Sequence, residues 1–361
     1  MVDIKIYNKS CQHFGECGGC FYDKINDDNY RENKILDLAK NIKNLSCDDI
    51  NYVWFDLYSR RKAVFHINSS NEIGFFAAKS KDIVKIKQCL ICDKNVFNLK
   101  NELELFLQSF SKNLLQNAII TNFDNGLDLS LIAKKDLTFK QNQKLIKFAQ
   151  EQNINISYSF YNNEFLPIFI ARKNKINLTE YNLDLDSSIF IQANRDFLQL
   201  IINLIKKEIQ DINQAKIADI YCGFGVYSFA IIDLVKNIVA YEGSNNMIKM
   251  LQKNIKNHNL GSKIFAKMQD LMQNPISNKE LNKFDLVIIN PPRNGATPQI
   301  KEIAKSNLKK IIYISCNPKT FDFDSSVLIG SNFKIKKLTV FDQFIGSKHL
   351  EIVGIFDRYD Y

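Results

Sequence analysis

The sequence predicts an α/β protein. Its carboxy-terminal half is a Rossmann-like, doubly wound and mostly parallel sheet, preceded by an α+β unit and a cysteine-bearing amino-terminal segment. Three observations carry that expectation. From residue 186 onward, strand-length apolar runs and helix-length amphipathic runs alternate strictly, as in a parallel sheet with crossover helices. Ala218-Asp-Ile-Tyr-Cys-Gly-Phe-Gly225 puts a glycine turn directly after a strand, where such sheets open their ligand crevice. Two further apolar strands end in Asn290-Pro-Pro-Arg293 and Ser315-Cys-Asn-Pro318, so three strand ends converge on one crevice, as expected of an enzyme.

The elements follow in chain order. Cys11, Cys17 and Cys20 lie among glycines and read as a knuckle. A helix is expected over 27–45, where Tyr30, Ile35, Leu38, Ile42 and Leu45 approximate helical spacing. Between residues 51 and 185, strands are expected over 63–67, 73–76, 118–122, 127–132, 154–160 and 165–170, interspersed with helical runs and mostly antiparallel. The last part reads as helix 197–209, strand 217–221, helix 227–234, strand 238–242, helix 246–257 and strands 286–289 and 311–315. A final strand opens at His349-Leu-Glu351. The expected units are thus 1–50, a cysteine segment with its helix; 51–185, a central unit; and 186–361, the catalytic domain.

With 361 residues, 45% hydrophobic and 24% charged, the chain has the composition of a folded globular protein. Its net charge of +9 favours a polyanionic partner, with nucleic acid the first choice. No signal core opens the sequence and no run reaches the ~18 apolar residues of a membrane span. A cytoplasmic protein without membrane association is expected, and nothing implies a protein partner. Eight cysteines in such a chain read as ligands, nucleophiles or buried thiols rather than disulfides.

In the crevice, Cys222-Gly-Phe-Gly225 allows close backbone approach to a ligand, and Glu242 ends the next strand about 20 residues on, where a ribose-binding carboxylate belongs. The third glycine of the dinucleotide fingerprint is missing, and Pro-Pro after a later strand suits an S-adenosylmethionine methyltransferase. A nicotinamide enzyme and a merely structural turn stay open. Cys316 beside a bound methyl donor suggests thiolate addition to C6 of a pyrimidine, which makes C5 nucleophilic towards a sulfonium methyl. Glu351 is the candidate base for the C5 proton, with His349 an orienting residue. The bland alternatives are a core thiol and an edge-strand carboxylate.

Cys11, Cys17 and Cys20, with either Cys89 or Cys92, offer four soft ligands. The three-plus-one spacing favours an iron–sulfur cluster over zinc or free thiols. His13 reads as a surface histidine. Arg60-Arg-Lys62 and Lys79-Ser-Lys81 are candidate phosphate contacts, with a solvated basic face as the alternative.

These residues resemble the RNA uracil-C5 methyltransferases, a group with RlmC, RlmD and TrmA types. The resemblance spans Cys11 to Glu351. It is carried by Phe190-Ile-Gln-Ala-Asn194, Asp219-Ile-Tyr-Cys-Gly-Phe-Gly225, Asn290-Pro-Pro-Arg-Asn-Gly295, Ser315-Cys-Asn-Pro-Lys-Thr320, and Phe341-Asp-Gln-Phe344 with His349-Leu-Glu351. It implies a Rossmann-like S-adenosylmethionine (SAM) methyltransferase domain, with Gln192, Tyr221, Glu242 and Asn290 contacting SAM. It further implies that Cys316 attacks uracil, that Glu351 removes the C5 proton, and that Cys11, Cys17, Cys20 and Cys89 bind a [4Fe-4S] cluster. Two departures stand out: Asn290 replaces the usual Asp, as in the RlmC type, and Ile345-Gly-Ser-Lys348 replaces a proline-containing link. The early cysteines set the chain apart from the tRNA type, and ten residues before Cys11 leave no room for the RlmD barrel. RNA is then the partner, and C5 of a uridine in 23S ribosomal RNA, handled RlmC-fashion, is the expected target. The Cys11–Cys20 spelling keeps the RlmD site open. A tRNA substrate, an amino methyltransferase and a non-catalytic RNA-binding factor are the alternatives.

Overall fold

A computed structural model of the chain describes residues 11–25, 27–43, 47, 49–160, 164–187, 189–212 and 214–359. Helix α1 (Asp28–Ala39) and strand β1 (Ile50–Val53) lead into β2 (Lys62–Ile67), β3 (Ile73–Phe76), β4 (Ile83–Lys85) and α2 (Lys94–Leu107). Then come the hairpin β5 (Leu115–Phe123) and β6 (Gly126–Ala133), α3 (Phe139–Gln152), β7 (Asn155–Phe160) and β8 (Leu166–Phe169). A small hairpin, β9 (Asn174–Asn177) and β10 (Asn182–Leu185), precedes α4 (Arg195–Ile209). The remainder alternates: β11 (Lys216–Ile220), α5 (Val226–Ile231), β12 (Asn237–Glu242), α6 (Asn245–Asn257), β13 (Ile264–Met268), α7 (Asn278–Leu281), β14 (Leu286–Ile289) and α8 (Thr297–Ala304). It closes with β15 (Lys310–Ser315), α9 (Pro318–Ile329), β16 (Phe333–Phe341) and β17 (Glu351–Arg358).

Two large sheets result. The central one has seven strands in the order β4-β3-β2-β5-β6-β7-β8, all pairs antiparallel except β6 with β7. The other has eight strands in the order β1-β16-β17-β15-β14-β11-β12-β13. Its inner run β15-β14-β11-β12-β13 is parallel, and β17 lies antiparallel between β15 and β16. Strands buried on both faces read as unbroken apolar runs, and Leu286-Val-Ile-Ile289 is fully buried.

Local signals set the helices that frame the crevice. Asn194 caps α4, accepting from the N–H groups of Asp196 and Phe197 at 2.9 and 3.1 Å. Phe197, Ile201, Ile205 and Ile209 then form its buried stripe. Asn317 caps α9, with Pro318 starting it.

Two expectations are corrected. The first helix ends at Ala39 rather than residue 45; past it, the turn at Lys40-Asn41 leads towards β1, and Leu45 falls outside the described residues. Residues 51–53, placed by position in the central unit, pair instead with Thr339–Phe341, and with Ile50 they form the edge of the catalytic sheet. That edge needs a covering strand, because an open one is a pairing hazard.

Candidate active site and a cavity lined by cysteines

Register assembles the crevice. Ile220 pairs with both Tyr241 and Ile289, so Tyr221, Glu242 and Asn290 end three neighbouring strands in one row. The turn after β11 bends sharply: Tyr221, Gly223 and Gly225 have φ of +60°, +58° and +85°. The Glu242 carboxylate steadies it, accepting from the N–H groups of Gly223 (3.0 Å) and Ser244 (2.7 Å). Tyr221 Oη donates to Met272 Sδ at 3.6 Å, and Asn290 N–H donates to Ile220 O at 3.1 Å. Asp219, fully buried below the turn, accepts from Ser228 Oγ at 2.7 Å, and burial pushes its carboxyl up to about 6.

The same logic brings Cys316 and Glu351 together. Ser315 pairs with Ile352 across β15 and β17, and one further step places Cys316 opposite Glu351. Glu351 is buried beside Phe341 and accepts from Gln343 Nε2 at 2.8 Å. Burial pushes its carboxyl up to about 7. Gln343 Nε2 also reaches Gln192 Oε1 at 3.4 Å, joining Gln192, two residues before α4's cap, to Glu351. Cys316 is half-buried. Burial raises its thiol, the Glu351 charge raises it further, and Arg293 lowers it by charge and by a hydrogen bond. Arg293 also donates to the His349 ring within 3.0 Å, and Asn317 Nδ2 donates to Arg293 O at 2.8 Å. Burial, then the Arg293 charge, lowers the His349 pKa, so the neutral ring serves as an acceptor.

The crevice thus gathers Gln192, Cys316 and Glu351 on one side and Tyr221, Glu242 and Asn290 on the other. Gln343 and Arg293 belong with them. Both lie inside motifs named above, but only the strand register reveals what they touch. Arg61, expected on a phosphate, is instead 2% exposed. It pairs with Asp124 at 3.2 Å and donates to Gln192 O at 2.9 Å, because its place just ahead of β2 points it between the two sheets. Lys79 and Lys81 are exposed as expected.

Near the central sheet, Cys11, Cys17, Cys20 and Cys89 line one cavity of about 400 Å³, with Arg60 and Lys62 also on its wall. Cys17 reaches it by bridging to Ala77, with Gly18 N–H donating to Phe76 O at 2.8 Å. Cys92, buried, lines the same cavity. Its thiol hydrogen-bonds to Cys89, whose own thiol is lowered to about 6 chiefly by that bond. His13 is buried rather than on the surface, accepting from Lys87 N–H at 3.0 Å. Among the described residues, no three His, Cys, Asp or Glu side chains converge tightly enough for a single metal ion.

Comparison with known proteins is consistent with this geometry. The pattern of the family described as tRNA (Uracil-5-)-methyltransferase matches residues 28–358. An uncharacterized RNA methyltransferase of Caulobacter vibrioides is 28% identical, the match covering 97% of this chain and 86% of that protein. The 23S rRNA (uracil(1939)-C(5))-methyltransferase RlmD of Shewanella woodyi is 26% identical, covering 96% and 81%. Among solved structures, the tRNA (uracil-54, C5)-methyltransferase of Pyrococcus abyssi, in complex with S-adenosyl-L-homocysteine, superposes with a TM-score of 0.74 at 18% identity, covering 91% of this chain and 83% of that one. With its matched pattern spanning nearly the whole chain, the protein belongs to the tRNA (Uracil-5-)-methyltransferase family and is a SAM-dependent RNA (uracil-C5)-methyltransferase.

Proposed function

We propose that this enzyme methylates C5 of a uridine in 23S ribosomal RNA, with Cys316 as nucleophile and Glu351 as base. The observation that carries the roles is the β15–β17 register, which sets a thiol opposite a buried carboxyl whose pKa lies near neutrality. Cys316 Sγ bonds to uracil C6, and the C5=C6 electron pair moves to C5 and the C4 carbonyl. C5 then takes the methyl group from the donor's sulfonium, which leaves as a neutral thioether. Glu351 removes the C5 proton, the C5=C6 bond re-forms and the S–C6 bond breaks. Arg293 favours the attacking thiolate, and His349 orients Arg293. Tyr221, Glu242, Asn290 and Gln192 hold the methyl donor, with Glu242 on its ribose and Asn290 acting by hydrogen bonding, since an amide is no base.

The relatives named for uracil 1939 of 23S rRNA support a large-subunit target of the RlmD kind, beside the RlmC type expected from Asn290. The net charge of +9 supports a polyanionic substrate. A target uridine must leave its stack to reach Cys316, which favours a loop nucleotide. No helix among the described residues is long and apolar enough to cross a membrane, and a count of eight cysteines without a disulfide among the described residues suits the reducing cytoplasm.

Cys11, Cys17, Cys20 and Cys89 would hold a [4Fe-4S] cluster. The fit rests on these thiols lining one cavity, with Cys92 beside them and with Arg60 and Lys62 also on its wall. Bound there, a cluster would cross-link the amino-terminal segment to the central sheet; methyl transfer requires no electron. The units 1–50, 51–185 and 186–361 then divide cluster binding, RNA docking and catalysis, with β1 crossing to the catalytic sheet.

The test uses RNA carrying 5-fluorouridine, which cannot lose its C5 substituent as a proton. Wild-type protein with SAM should form a denaturation-stable adduct that peptide mapping places on Cys316, and Cys316→Ala should form none. An adduct on another cysteine would overturn the assignment.

A further inference from the structure

Glu351 opens β17, and residues 342–350 form the loop that returns the chain to it from β16. Asp342 N–H donates to Val53 O of β1 at 2.9 Å, and further anchors come from the amino-terminal segment. Asp342, 1% exposed, accepts from Tyr30 Oη at 2.5 Å and from Lys34 Nζ, itself 1% exposed. Lys34 Nζ also donates to His349 O at 3.1 Å. Gly346 N–H donates to Tyr30 Oη at 3.0 Å, and Gly346 O accepts from the N–H groups of Phe21 (2.6 Å) and Tyr22 (3.1 Å). Gly346 has φ +76°, and a Cβ there would fall 3.0 Å from Cys20 Sγ. The loop is therefore pinned at positions 342, 346 and 349. Between the first two pins sits Gln343, whose Nε2 holds the Glu351 carboxylate.

A buried Lys–Asp pair adds little net stability over an apolar replacement, because desolvation offsets its attraction. What the pair and its hydrogen bonds do fix is position. Cys316 is carried by the turn between β15 and α9, which these bonds reach only at one remove, through His349 and Arg293.

We propose that Tyr30 and Lys34 are positioning residues for proton removal: through Asp342 and Gly346 they hold the loop that sets Gln343 and Glu351 against the methylated uracil. The proposal rests on Glu351 being the base. Loosening the pins should slow breakdown of the methylated Cys316–RNA adduct more than its formation.

The experiment follows methyl label from SAM on unmodified RNA in single turnovers. It separates label in denaturation-stable protein–RNA adduct from label in free RNA, for wild type, Glu351→Gln, Tyr30→Phe and Lys34→Met. Tyr30→Phe keeps the ring packed against Tyr22 and Trp54, and near-ultraviolet circular dichroism checks that each variant folds. Glu351→Gln should accumulate labelled adduct. Tyr30→Phe and Lys34→Met should do the same to a lesser degree, with adduct breakdown slowed about tenfold to 100-fold. If Glu351→Gln accumulates adduct while both other variants break it down at the wild-type rate, or slow formation and breakdown equally, the positioning role is overturned. If Glu351→Gln itself accumulates none, the base assignment fails, and this proposal fails with it. Should Lys34→Met not fold, Tyr30→Phe alone decides.

Discussion

The raised pKa of Glu351, the proposed base, comes from desolvation. Its carboxyl faces Gln343, Cys316 across the register and the buried Tyr227. A base works only when ionised, so proton removal should rise with pH through about 7. An adduct formed at pH ~8 and shifted to ~6 should break down about tenfold more slowly; breakdown indifferent to pH would contradict the assignment. The sign for stability is opposite. A carboxyl whose folded pKa is raised from 4.5 to about 7 contributes fully below the lower value and loses that contribution as pH rises through the higher one. Glu351→Gln should therefore stabilise the protein at pH ~8 by on the order of 1–3 kcal/mol and have little effect near pH 4, measured by urea denaturation. Arg293 is the counterpart at Cys316, the proposed nucleophile. Arg293→Met should slow alkylation of Cys316 by iodoacetamide several-fold at pH ~8, read by peptide mass mapping; unchanged labelling would remove Arg293 from thiolate stabilisation.

At the scale of elements, the turn between β11 and α5 is the most constrained piece of the crevice. Gly225 sits at φ +85°, and a Cβ there would approach Leu251 Cδ1 to 2.5 Å. Gly225→Ala should cost ~1–3 kcal/mol in denaturation midpoint terms and weaken SAM binding; a neutral substitution would mean that the turn adapts freely. This element was legible in the sequence, because two glycines spaced closely after an apolar strand mark the sharp strand-to-helix turn of a parallel sheet. Strands 73–76 and 286–289 were likewise legible to the residue, their apolar runs having sharp ends. Register was not legible. Nothing in the spelling of β15 and β17 says that Cys316 faces Glu351, since that depends on β17 inserting antiparallel between β15 and β16. Tyr30 was legible as part of the first helix's apolar spacing, but its bond to Asp342 was not. Lys34 was hidden because a buried ion pair uses the same residue types as an exposed one. Arg61 misled in the same way, its basic neighbours suggesting phosphate contact where the fold supplies Asp124.

Across the whole molecule, the amino-terminal segment ties the two sheets together. It docks beside β3 through Cys17 and on the catalytic loop through Phe21, Tyr22, Tyr30 and Lys34. The cysteine cavity lies at that junction, lined from the segment, from Cys89 and from Phe190 and Ile191 just upstream of Gln192. Protein purified without oxygen should contain iron and inorganic sulfide in equal amounts. Cys89→Ser should lower both, and Cys92→Ser, which changes only a donor to Cys89, should retain them; zinc alone would contradict the cluster. The central claim concerns C5 chemistry on RNA, and tritium release from [5-³H]uridine tests it most directly. Separate 23S rRNA and tRNA transcripts would be incubated with SAM and either wild type or Cys316→Ala. Release from the 23S transcript by wild type alone is the predicted result, whereas methyl incorporation without tritium release would contradict it.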